Sequence, residues 1–164
     1  MIDKYHSMDD LLNNIAQLLI SKKIMIATAE SCTGGLIGHS LTNISGSSEF
    51  FERGIISYSN QAKIELLGVS EQALEKFGAV SEEIAKAMAE GVRKNASVDI
   101  GLATTGIAGP TGGSKEKPIG LVFIGLSSEH DTIVKQYNFK GDRLENKYST
   151  LHQALHMLYQ YISK

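Results

Sequence analysis

Apolar residues recur at two alternating periods along this chain, and the alternation predicts the order of its elements. Leu11, Leu12, Ile15, Leu18 and Leu19 fall at helical spacing, which predicts an amphipathic helix over Asp9 to Lys22. A short apolar run follows and predicts a buried strand over Lys23 to Ala29, then a helix over Thr33 to Leu41. Phe50 to Tyr58 closes a second strand. Asn60 is positioned to cap a short helix carrying Ala62, Lys63, Leu66 and Leu67, and Gly68 to end it. A further short helix spans Glu71 to Phe77. Ser81, with Glu82 and Glu83 behind it, reads as the cap of a helix reaching about Asn95. Asp99 to Thr105 is nearly continuous in small apolar residues, as in a strand covered on both faces. Ile119 to Ser127 and Thr132 to Phe139 read as a hairpin.

The last helix starts at Asp142, where Asp142 and Glu145 form an acidic capping signature. Its apolar seam is Leu144, Tyr148, Leu151, Leu155, Leu158 and Ile162. Packing on the domain's own sheet is its expected use, and a homo-oligomer through the same seam is the alternative. Helices alternating with mostly parallel strands give an α/β fold: one three-layer α/β/α domain over residues 1–164, with a mixed, mostly parallel sheet of about five strands.

Composition adds boundaries to this picture. The 164 residues, 42% hydrophobic and 21% charged, suit one soluble globular domain. No apolar run approaches the ~20 residues of a membrane span, and the first residues lack a leader's apolar stretch, so a cytoplasmic protein is expected. One cysteine allows no internal disulfide and agrees with a reducing compartment. A net charge of −2 gives no reason to expect a nucleic-acid surface.

In open α/β sheets the ligand crevice forms at the carboxyl ends of the strands. Three polar, glycine-containing segments follow predicted strands: Glu30 to Gly35, Ser57 to Lys63, and Thr104 to Gly113. If the strands are parallel neighbours, the segments converge and offer hydroxyls at Ser31, Thr33, Tyr58 and Thr105, one lysine at Lys63, and many backbone amides. Ser31 to Gly35 also fits a capped helix start whose hydroxyls only satisfy backbone donors. Read as chemistry, it is a place where anions and oxyanions bind. No histidine lies in the three segments. His39 is eight residues beyond Ser31, ~12 Å along a helix at about 1.5 Å per residue, which argues against a Ser-His-Asp triad. A serine nucleophile would need another base, and a lysine with a pKa lowered by burial can serve. Cys32 is intrinsically the better nucleophile, and a helix N-terminus would lower its pKa; a small residue packed under the helix is its alternative reading. His152 and His156 are four apart, but Gln153 stands where a zinc-protease motif needs Glu, so no metal site is expected. Phosphate-loop and dinucleotide fingerprints are absent.

Several long motifs in order carry a family resemblance: Ala29-Glu30-Ser31-Cys32-Thr33-Gly34-Gly35, Gly46-Ser47-Ser48, Gly54 through Tyr58-Ser59-Asn60 to Lys63, Gly78-Ala79-Val80-Ser81, and Thr105-Gly106-Ile107-Ala108-Gly109-Pro110 with Gly112-Gly113. Together with Gly141-Asp142-Arg143 they resemble the C-terminal domain of the competence/damage-inducible protein CinA, over almost the whole chain. Stand-alone members of that family include nicotinamide mononucleotide deamidases. The resemblance implies a cofactor-free, metal-independent amidohydrolase of pyridine nucleotide salvage, with a pyridine mononucleotide as its small-molecule partner. It implies Ser31 as nucleophile, Lys63 as its base and Tyr58 as a group that orients or shares the proton. It further implies substrate contacts from Glu30, Cys32, Thr33, Gly34, Gly35, Ser48, Thr105, Gly106 and Gly109, with Ser48 as the rival nucleophile. Larger relatives carry an additional N-terminal domain, for which 164 residues leave no room. Thr111 stands where the family is often acidic, so no ribose or cation contact is carried over there. A non-catalytic nucleotide-binding or regulatory module of the same fold is the alternative function.

Overall fold

The computed structural model describes residues 7–164; the first six residues, where a leader's apolar stretch would begin, lie outside them. The elements are α1 (Met8–Lys22), β1 (Ile26–Glu30), α2 (Leu36–Thr42), a 3-10 turn (Ser47–Glu49), β2 (Phe51–Ile56), α3 (Asn60–Leu67), α4 (Glu71–Phe77), α5 (Glu82–Ala96), β3 (Ile100–Gly106), β4 (Leu121–Ser127), β5 (Thr132–Asn138) and α6 (Arg143–Ile162). One five-stranded sheet runs in the order β2-β1-β3-β4-β5. β1 pairs in parallel with β2 and β3, while β4 is antiparallel to both β3 and β5.

Alternation along the strands sorts the core into two layers. Ile26, Ile100, Leu102, Val122, Ile124 and Leu126 face α1, α2 and α6. Ala27, Ala29 and Ala103 face the side of α3, α4 and α5. Small residues on that second face let α5 approach closely, and a Cβ at Gly101 would run into the Ala89 carbonyl. In α6 the lower seam, Leu151, Leu155, Leu158 and Ile162, is buried in the first layer, each side chain contributing roughly 1.5–3 kcal/mol of burial. Its upper residues, Leu144 and Tyr148, are 63% and 57% exposed, so the seam divides between the protein's own core and its surface.

Several boundaries move for identifiable reasons. Strand β1 starts at Ile26 because Lys23 takes the left-handed conformation that ends α1, its amide donating to the Ile20 and Leu19 carbonyls. The motif helix starts at Leu36, since Gly34 and Gly35 have φ of 64° and 97° and carry the chain round a turn first. Ser59, not Asn60, caps α3 by accepting the Ala62 amide at 3.0 Å. Ser81 caps α5, and Asp142 with Glu145 closes a full capping box on α6.

Candidate active site

The register brings three strand ends level: Glu30 pairs with Ile56 on one side and Thr104 on the other. The residues that follow are stitched across the same edge. The Ser31 amide donates to the Thr104 carbonyl at 3.0 Å, and the Ser57 amide to the Glu30 carbonyl at 2.9 Å. The predicted convergence is therefore present, and Ser31, Tyr58, Lys63, Thr105 and Gly106 line one cavity of about 180 Å³.

Alternation decides what each side chain of the motif does. Glu30 falls on the α2 face and Ser31 on the α3 and α5 face. The Glu30 carboxylate is buried and accepts the amides of Gly35 (3.0 Å), Ile37 (3.1 Å) and Gly38 (2.8 Å). It thereby caps α2, whose own cap residue, Gly35, has no side chain. This corrects two expectations: Glu30 does not line the cavity, and the first turn of α2 does not offer free amides for an oxyanion. Thr33 is likewise committed inside, its hydroxyl sharing a 2.8 Å bond with Thr104. Gly34 and Gly35 serve the turn; they do not line the cavity, and the Gly34 amide donates to the Ser31 carbonyl. The amide of Cys32, beside the serine on the cavity wall, has no hydrogen-bond acceptor on another residue among those described.

On the other face, Lys63 lies one turn into α3 and is 1% exposed. Its Nζ donates to Ser31 Oγ at 3.1 Å, to the Ser57 carbonyl at 2.8 Å and to the Tyr58 carbonyl at 3.4 Å. No carboxylate among the described residues touches it. Burial penalises the ammonium and lowers the Lys63 pKa from its ordinary value, with the charge at Cys32 acting weakly the other way. Three donated bonds use all the protons of an ammonium; on losing one, Lys63 would keep its two carbonyl contacts and turn a lone pair to the Ser31 hydroxyl, the form of lysine that can accept a proton. Ser57 contributes its carbonyl, and its own buried hydroxyl makes no hydrogen bond.

Cys32 follows the second of its two readings, a small residue packed under the helix. Burial, slightly reinforced by the charge of Glu30, outweighs the hydrogen bonds from its own amide and Thr104 and the pull of Lys63, pushing the thiol up to about 12. A buried neutral thiol is a poor nucleophile. Ser48 sits on the exposed 3-10 turn that precedes β2, at the opposite end of the sheet from Ser31, which corrects its place as a rival nucleophile in this cavity.

Tyr58 reaches the lysine through its backbone; its ring is 62% exposed, and its hydroxyl accepts from Arg143 Nη2 at 3.1 Å. Arg143 Nη1 also donates to the Gly109 carbonyl at 2.5 Å, so this arginine spans the mouth of the cavity. Arg143 belongs to one of the sequence motifs, but the motif alone assigns it no role at the site. Being the first residue of α6, it is carried there by the Asp142 cap, and Asn146 ties the same turn to the Ala108 carbonyl at 3.0 Å. The Thr105 hydroxyl donates to the Ala79 carbonyl at 2.7 Å, holding the Ala79-Val80 wall in place. Gly106 lines the cavity, but its missing side chain is required by β4, where a Cβ would stand 2.6 Å from Val122 Cγ2. Gly109 meets the site through the carbonyl that Arg143 holds.

Away from this cavity, His152 and His156 contact each other edge to face on α6. No group of three or more His, Cys, Asp or Glu among the described residues could hold a metal ion, and no helix among them is long and apolar enough to cross a membrane.

Comparison with known proteins agrees with the motifs. The CinA-like protein of Syntrophus aciditrophicus (strain SB) is 55% identical over 150 residues, which are 91% of this chain and 36% of that protein. A competence-damage inducible relative from Acetivibrio thermocellus is 52% identical over 161 residues, 98% of this chain and 39% of its own length. The chain thus spans little more than a third of these relatives. The crystal structure of the competence/damage inducible protein CihA from Agrobacterium tumefaciens superposes with a TM-score of 0.93 at 37% identity, covering both chains fully. A CinA superfamily protein from Escherichia coli gives a TM-score of 0.93 at 32% identity, over 98% of this chain and 94% of the other. The CinA C-terminal domain model matches residues 8–162, and the chain belongs to that family.

Proposed function

We propose that this domain is a serine amidohydrolase that converts nicotinamide mononucleotide to nicotinate mononucleotide and ammonia, a step of cytoplasmic pyridine nucleotide salvage. The observation that carries the reading is the buried Lys63 amine, 3.1 Å from Ser31 Oγ and touched by no carboxylate among the described residues. Ser31 Oγ attacks the carboxamide carbon while its proton passes to Lys63 Nζ. The oxyanion is held by the Cys32 amide, and one such donor typically contributes ~3 kcal/mol of transition-state stabilisation. Lys63 returns the proton to the departing nitrogen, ammonia leaves, and a water activated by the same amine hydrolyses the acyl-serine. Arg143, at the mouth, supplies the fork that suits a phosphate, exchanging its Tyr58 hydroxyl contact for phosphate oxygens.

The test is ammonia release from purified protein and nicotinamide mononucleotide in the presence of chelator. Release that Ser31→Ala abolishes and Cys32→Ala leaves intact supports the reading. No release above a boiled control across a range of pH overturns it, and thermal stabilisation by the mononucleotide without turnover would mark a binding module instead.

A further inference from the structure

Glu30 stands next to the nucleophile yet contributes no atom to the cavity. A carboxylate that is 1% exposed needs compensation, and here α2 supplies it through the three amides of Gly35, Ile37 and Gly38. The bond to Gly35 closes the Ser31–Gly34 turn from outside, like a clasp across a loop. The same residue's carbonyl accepts from Ser57, and the next amide donates to Thr104, so residues 30 and 31 tie the turn to α2, β2 and β3 at once.

We propose that Glu30 is the positioning residue of the nucleophile turn: by taking the α2 amides it fixes Ser31 Oγ against Lys63 and leaves the Cys32 amide as the oxyanion donor. The proposal rests on the Ser31 and Lys63 reading of the site. Without the carboxylate, the amides of Gly35, Ile37 and Gly38 lose their acceptor, on the opposite side of the strand from the serine. The turn, with left-handed glycines at 34 and 35, loses the contact that fixes its far end.

The experiment compares Glu30→Gln and Glu30→Asp with Thr28→Val. Thr28 lies two residues earlier on the same face, with a buried hydroxyl that bonds nothing among the described residues, and serves as a packing control. Three quantities are read: ammonia kcat and KM, the midpoint of the pH profile, and the rate at which a serine-reactive fluorophosphonate labels Ser31. Labelling needs the nucleophile and its oxyanion donor but not a pyridine substrate. Gln keeps the Oε2 contacts and turns an NH2 towards the Gly38 amide, while Asp keeps the charge and falls one methylene short.

Both should lower kcat and labelling together by about 10–10²-fold, the scale of a small misplacement of reacting groups, with KM within about twofold and the pH midpoint unmoved. Thr28→Val should match wild type. A cooperatively melting Glu30 variant that labels at the wild-type rate, or raises KM with kcat intact, overturns the proposal. Failure of both Glu30 variants to fold also overturns it, by making the residue a folding requirement only. Labelled wild type that releases no ammonia would sink the substrate reading and leave the role of Glu30 standing.

Discussion

Two polar clefts of similar size lie in different parts of this molecule, and they differ in that the first sets a buried lysine against a serine hydroxyl. The first, about 180 Å³, surrounds Ser31; the second, about 230 Å³, lies among Lys86, Glu90, Arg93 and the Ser127–Thr132 segment that joins β4 to β5. In the second, hydroxyls satisfy one another and nearby backbone or acids. Thr132 Oγ1 donates within reach of Glu90 and Ser127, Arg93 donates to Ser127, and Ser128 takes the His130 and Asp131 amides while bonding Asp131. Carboxylates and cations share its walls, so a proton has no reason to move. In the first, the serine's side-chain partner is a buried amine with no acid beside it among the described residues. Polarity and volume are common to both clefts. What separates them is a buried lysine, its pKa lowered by desolvation, hydrogen-bonded to a serine.

The comparison breaks most sharply at Lys63. Lys63→Ala should lower kcat for ammonia release by at least ~10³-fold, in the range lost with members of a nucleophile and base pair, while the protein still melts cooperatively. Lys63→Arg should be as inactive, because a guanidinium keeps the charge but cannot accept the proton. An active Arg variant would show that the cation, not the base, matters. Ser31→Ala should lose about as much as Lys63→Ala, and the double variant little more, since the two act as a unit.

The same amine sets the pH response. In the proposed mechanism the neutral form does the work, so activity should rise with pH through the Lys63 pKa, which burial lowers from that of an exposed lysine. Below that midpoint kcat/KM should fall about tenfold per pH unit. A profile flat from acid to alkaline conditions would remove Lys63 from the proton path. Cys32→Ala should keep activity within about threefold at every pH, since a thiol pushed up to about 12 holds no useful thiolate in that range.

Much of this site is legible in the amino-acid sequence, and the reason is topological. Parallel strands bring their carboxyl ends to one edge, so Glu30–Gly35, Ser57–Lys63 and Thr104–Gly113 must meet once the helices between them are placed. Individual atoms are less legible. Spacing cannot tell that Tyr58 offers Lys63 a carbonyl and keeps its phenol for Arg143. It does contain the clue to Glu30, because strict alternation along β1 sends residues 30 and 31 to opposite faces. Arg143 is hidden differently: it lies 112 residues after Ser31, at the start of a helix whose capping box is visible in the sequence but whose direction is not. Cys32 shows how desolvation overrides a helix-end argument when the helix amides are already occupied.

Smaller effects sharpen the comparison. Arg143→Met should raise KM for the mononucleotide by about 10–10²-fold, the scale of losing a charge-assisted hydrogen-bond pair, with kcat nearly unchanged. The corresponding nucleoside, lacking the phosphate, should be used equally by both forms. Equal loss on the two substrates would place Arg143 in the support of the cavity wall and not at the phosphate.

The smallest activity effect is expected in the second cleft, where it is most informative. Ser128→Ala removes the hydroxyl that accepts two amides and bonds Asp131, so the β4–β5 connection loses its internal partners. Stability should fall by roughly 1–2 kcal/mol, lowering Tm by a few degrees in a domain of this size. Ammonia kcat and KM should stay within about twofold. That is the inverse of the Lys63 result, where turnover is lost and cooperative folding is kept. If Ser128→Ala also cut kcat tenfold at a temperature well below its Tm, the two clefts would be coupled through β3 and β4, and the division between a cleft that holds the fold and a cleft that moves a proton would have to be given up.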